Sequence, residues 1–141
     1  MSGAGNLRYC GYSMLRTGDA VPHRVLTDVS GRDVSYADEV WQKRNIVLVA
    51  LPQRVSVGDA GYIADLDAAR GRFAAAQTEV IVTRDSVPGL APYAVLVADR
   101  WGEIVTAQRT GTPSELHSVE RILAWVEFVQ YQCPECQGET R

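Results

Sequence analysis

Residues 46–51, Ile-Val-Leu-Val-Ala-Leu, are apolar without interruption, and the run stops at Pro52. A half-exposed strand alternates polar and apolar residues. A strand covered on both faces does not, and such strands belong to parallel sheets. The next segments supply that cover and a parallel partner. From about Gly58 to Ala76 the apolar residues Ile63, Leu66, Ala69 and Phe73 recur at helical spacing. Asp59 falls in the first turn of that helix, where the dipole favours a carboxylate. Glu79–Thr83 then reads as a second buried strand. Strand, crossover helix and strand form a βαβ unit, whose hand is right.

The rest of the chain arranges itself around this unit. Val25–Val29 and Asp33–Tyr36 flank Ser30-Gly31 and read as a hairpin. A short helical turn follows through Ala37–Lys43. Beyond the turn signal Pro88-Gly89, Pro92 opens a third strand over Tyr93–Ala98. Asp99-Arg100-Trp101-Gly102 turns it into a fourth, Glu103–Ala107. Ser114 is the expected cap of a last helix, whose stripe is Leu116, Val119, Ile122 or Leu123, Val126, and Val129 or Gln130. The expected organisation is an arm over 1–14, one α/β domain over 15–131 and a tail over 132–141. The fold class is a central mixed sheet, βαβ then ββα, flanked by helices and preceded by a hairpin.

With 14 Lys and Arg against 17 Asp and Glu, the net charge is -3. That balance, with no basic stripe, argues against nucleic acid and anionic membranes as partners. No apolar run approaches the length of a membrane span. The first twenty residues lack the pattern of a secretory signal, so the expected location is the cytoplasm. Three cysteines are an odd count for a disulfide framework.

The order of these elements is that of the thioredoxin fold, and further pieces point to one branch of it. Leu15–Pro22 contains Gly18-Asp19-Ala20-Val21-Pro22, and Leu26–Val34 carries Asp28-Val29-Ser30-Gly31. Asp99-Arg100-Trp101-Gly102-Glu103-Ile104 heads the last hairpin. Together these resemble the peroxiredoxins, the alkyl hydroperoxide reductase and thiol-specific antioxidant group, over roughly residues 15 to 131. Order and spacing carry the likeness, since each motif alone is weak. The resemblance implies a cis-proline at Pro92. It also implies an active site of the form Pro-x-x-x-Thr-x-x-Cys. Here Pro52 matches the proline, Ser56 keeps a hydroxyl at the threonine, and Asp59 stands at the cysteine. A carboxylate lacks the soft sulfur that attacks a peroxide oxygen. The resemblance therefore implies the fold without conventional peroxidase chemistry. The family's supporting arginine before the later strand has no clear equivalent. Arg54 and Ser56, beside a helix N-terminus, are candidates to hold a small anion. The preferred reading of that segment is a plain loop with Ser56 as helix cap.

Chemistry is instead available at Cys133-Pro134-Glu135-Cys136. In the favoured reading the pair exchanges thiols with a disulfide substrate or senses redox state, with no cofactor required. Cys133 attacks and Cys136 resolves. In the alternative the pair is half of a zinc site. A second chain then completes four thiolates across a two-fold axis and makes a homodimer, or Cys10 with His23 or His117 closes the site within one chain. The alternative function is a non-catalytic module that binds a protein partner or dimerises. A third reading leaves both thiols free. Trp41, Trp101 and Trp125 read as packing groups, and His23 and His117 as surface or cap residues.

Overall fold

The computed structural model describes residues 14–140, those from 132 onward by their backbone alone. These residues include six strands: β1 (Val25–Thr27), β2 (Asp33–Ser35), β3 (Asn45–Ala50), β4 (Thr78–Thr83), β5 (Ala94–Ala98) and β6 (Ile104–Arg109). Among the described residues three α-helices accompany them: α1 (Val57–Ala68), α2 (Arg70–Ala75) and α3 (Val119–Thr140). A π-helical turn spans Tyr36–Val40, and a 3-10 turn spans Pro113–Glu115.

The main sheet has the order β4-β3-β5-β6, with β1 and β2 forming a separate hairpin. β3 runs parallel to β4 and antiparallel to β5, and β5 is antiparallel to β6. All six residues of β3 are buried, the apolar 46–50 together with the polar Asn45. Its side chains alternate between two cores. Val47, Val49 and Leu51 pack with Leu66, Phe73, Ile122 and Val126 under the helices. Ile46, Leu48 and Ala50 pack with Leu26, Val34, Tyr36 and Val40 under the hairpin. The fully buried Phe73 anchors the helical side. Burying a side chain of that size contributes about 2–3 kcal/mol.

The structure corrects three local expectations. The helix expected over 58–76 is interrupted at Ala69, which caps α1 and precedes α2. The bend lets Ala69 and Phe73 both enter the core. It also places the Arg70 guanidinium on the Val80 carbonyl at 3.1 Å and on Asp67 at 2.9 Å. Ser114 does not cap the last helix. Pro113–Glu115 make the 3-10 turn, Leu116 is extended with its side chain buried, and α3 starts at Val119. The cap is Ser118, whose Oγ accepts the Arg121 N–H at 3.2 Å. The cis bond beside Pro92 is Pro92–Tyr93, one peptide later than the resemblance implied.

The turn at the end of β5 needs a glycine. Gly102 has φ +84°, and a Cβ there would lie 3.1 Å from the Tyr36 hydroxyl and 3.3 Å from Trp41. No other residue supplies both that backbone geometry and that approach at so little cost.

Candidate functional site

The C-terminal ends of the parallel strands β3 and β4 converge on the start of α1, and side chains remote in sequence meet there. β3 ends into Pro52. Ser56 is the N-cap of α1, and Asp59, at the third helical position, returns the bond by accepting the Ser56 N–H at 3.2 Å. This reciprocal pattern, S-x-x-D, ties down two ends of the same turn. The Asp59 side chain is fully buried.

Burial of a carboxylate is costly unless its lone pairs are met. Here they are met in full. Asp59 Oδ1 accepts from the Ser56 hydroxyl at 2.9 Å and the Tyr93 hydroxyl at 3.1 Å. Asp59 Oδ2 accepts from Arg84 Nη1 at 2.9 Å and from the Ser56 N–H. A carboxylate offers about four acceptor positions, and four donors occupy them. Burial pushes the Asp59 pKa up, and the bonds from Arg84, Ser56 and Tyr93 outweigh it, so the net direction is down. Asp59 is a carboxylate held as an anion.

Arg84 is the residue that the sequence did not disclose. It follows β4 and lies 25 positions from Asp59. One nitrogen, Nη1, serves both the Pro52 carbonyl at 2.7 Å and Asp59. Strand β4 delivers it there because β4 pairs in parallel with β3 through Ala50↔Thr83. The site thus contains a guanidinium, carried by the segment between β4 and β5. In the sequence Tyr93 reads only as the start of a strand, and its hydroxyl is 34 positions from the carboxylate it contacts. The local signals that do exist are a Pro after one buried strand and an Arg after its parallel neighbour.

Of the other candidates, Pro52 contributes its carbonyl to Arg84. Arg54 is exposed and has no ion-pair partner among the described residues. Pro92 lines a neighbouring cleft together with Arg84. The side chains of Cys133 and Cys136 lie outside the described residues, although the backbone of α3 runs through both positions. Cys10 also lies outside them. His23 packs its ring on Trp41, with centroids 4.6 Å apart, and edge-on to Tyr36 at 5.4 Å. His117 is half-buried; burial, helped by Arg121, lowers its pKa. Among the described residues no group of three or more His, Cys, Asp or Glu is placed to hold a metal. No helix there is long and apolar enough to cross a membrane.

Searches of family models and of curated proteins found no match. Solved structures do match. A yeast mitochondrial 1-Cys peroxiredoxin aligns with a TM-score of 0.69 and 12% identity, over 86% of this chain and 79% of its own. The reduced 2-Cys peroxiredoxin of Plasmodium vivax gives 0.67 and 14%, covering 83% of each chain. Mycobacterium tuberculosis AhpC gives 0.63 and 14%, over 83% of this chain and 99% of that one. The strand order, the preceding hairpin and the helix opening after β3 thus assign to this chain the thioredoxin-like fold of the peroxiredoxins.

Proposed function

We propose that this chain is a non-peroxidatic, thioredoxin-fold binding module. One observation carries the reading. Where the resemblance aligns the attacking cysteine, Asp59 is buried and every acceptor position on it is filled by a donor of the chain itself. A group so saturated has no lone pair to offer as nucleophile or base. Asp59 sits in the first turn of that helix and takes the Ser56 N–H for itself. The site is spent on stability, and function is left to surfaces around it.

The test is peroxide consumption by the protein with Cys10, Cys133 and Cys136 all replaced by serine, in the presence of excess dithiol reductant. The expected result is a rate equal to buffer with reductant alone. Turnover that survives removal of all three cysteines would overturn the reading.

A second reading has its own support. Helix α3 runs Val119–Thr140, so Cys133 and Cys136 fall at helical positions i and i+3. Positions so spaced are neighbours on a helix surface. Thiol-disulfide exchange through this pair, with a protein or small disulfide as substrate, would oxidise the two thiols and reduce the substrate by two electrons. Cys133→Ser should then abolish disulfide reduction while leaving the urea midpoint unchanged. Zinc in the reduced protein, near one ion per two chains, would instead favour the shared four-thiolate site and a homodimer.

A further inference from the structure

The cleft beside the Asp59 network is the strongest unassigned feature. Its volume is about 790 Å³. Sites for small organic ligands span roughly 300–1,000 Å³. Leu51, Val87 and Leu90 give it apolar walls. Three charged residues line it: Arg84, Arg109 and Asp85.

Their hydrogen bonding decides what the cleft accepts. Arg84 has five N–H donors. Only Nη1 is engaged among the described residues, on Pro52 and Asp59. The Nε and Nη2 edge has no protein acceptor there, while the side chain retains 21% exposure and lines the cleft. That edge is a two-pronged donor, the geometry that matches a carboxylate. Arg109, at the end of β6, is exposed and has no ion-pair partner among the described residues. Asp85 forms no ion pair with Arg84 among the described residues, and its Oδ2 accepts the Thr27 N–H of the hairpin at 2.8 Å. Pro52 and Asp59 hold Arg84 Nη1, so less rotamer freedom is lost on binding.

We propose that this cleft binds a small organic carboxylate with an apolar tail, its headgroup on the free edge of Arg84 and within reach of Arg109. The inference rests on the binding-module reading and names its ligand class. Asp59 and Tyr93 are then positioning residues, which act on the ligand only through Arg84.

Titration of the full chain with octanoate, followed by amide NMR shifts, tests this. Octan-1-ol serves as the tail without the charge and inorganic sulfate as the charge without the tail. The expected result is saturable octanoate binding, with shifts centred on residues 84–92 and 109. Octan-1-ol and sulfate should bind at least about tenfold more weakly, the loss of one charge-assisted bond or of the buried tail. Arg109→Gln should weaken octanoate about threefold or more with an unchanged urea midpoint. It avoids Arg84→Met, which also strips Asp59 of its partner. Equal binding of octanol and octanoate, shifts elsewhere on the surface, or no saturation by about 10 mM, the range of a negligible contact, would each overturn the proposal. Any of these with peroxide inertness intact removes the ligand and leaves the binding module. Peroxide turnover in the cysteine-free protein removes the module itself.

Discussion

Two arginine–carboxylate pairs in this molecule have nearly the same shortest distance and belong to different physical regimes. Arg84 and Asp59 meet at 2.9 Å, and Arg72 and Glu120 at 2.8 Å. The second pair is two-pronged, with a further bond at 3.1 Å, and joins α2 to α3. Judged by distance it is the better bond. Its side chains are 56% and 74% exposed, however, against 21% and 0% for Arg84 and Asp59. Water and salt screen the exposed pair, and removing one partner simply returns the other to solvent. Removing Arg84 or Asp59 strands a charge or several donors in a place that water reaches poorly. The depth of a pair, more than its length, decides whether the fold depends on it.

The largest expected effect is on the buried pair. Asp59→Ala should cost about 3 kcal/mol, the low end for breaking a buried pair because Arg84 keeps some contact with solvent. A drop of roughly 10 °C in Tm would accompany it. A loss no greater than that of an ordinary surface substitution in urea denaturation would erase the contrast between the two pairs.

Acid sharpens the same contrast. The folded pKa of Asp59 lies below its unfolded value of 3.8. A depressed carboxylate pKa adds stability that is fully present above the unfolded value and lost as pH falls through the folded one. Stability should therefore decline below about pH 4. Asp28, also held low overall, its carboxyl raised by burial but lowered more by its bonds to Ser30 and Arg32, contributes in the same window. In Asp59→Asn the slope of stability against pH below that point should become shallower. An unchanged slope would show that Asp59 is not the titrating group.

Two glycines in α1 separate helix propensity from tertiary contact. At Gly61 a Cβ would meet nothing within 4 Å. Gly61→Ala should therefore stabilise by about 0.5–1 kcal/mol. At Gly58 the Cβ would lie 3.1 Å from Pro113 Cγ, and the same substitution should gain less or nothing. Equal gains at both positions would show that the Pro113 turn yields freely. The smallest effect belongs to Arg72→Ala, for which the urea midpoint should not move measurably.

How much of the fold is legible in the sequence depends on the range of the interaction. β3, the crossover and β4 declare themselves through local patterns, because a strand buried on both faces must be apolar throughout. The hairpin is legible from Ser30-Gly31, where Gly31 has φ +94° and Asp28 accepts from Ser30 and Arg32. Ser56 as cap and Asp59 in the first turn are legible because the capping pattern spans three residues. The break at Ala69 is not, since 58–76 keeps one helical stripe across it, and only packing of Phe73 against the sheet demands the bend. The late start of α3 is hidden for the same reason. Leu116 fits the helical stripe but enters the core from an extended segment.

The sequence by itself determined that the chain builds a mixed sheet around one parallel pair, and that a carboxylate, Asp59, stands in the first turn of the helix that follows β3. Both stem from residue identity and short-range periodicity, which need no knowledge of what lies opposite. Only the tertiary structure decided what the carboxylate does. Parallel pairing of β3 with β4 brings Arg84 over Asp59, and the strand order brings Tyr93 to its other oxygen. Those encounters depend on sheet register between segments 25 and 34 positions apart. No local pattern encodes such a register, so the same Asp59 that reads as a simple helix-cap partner in the sequence becomes a saturated buried anion in the fold.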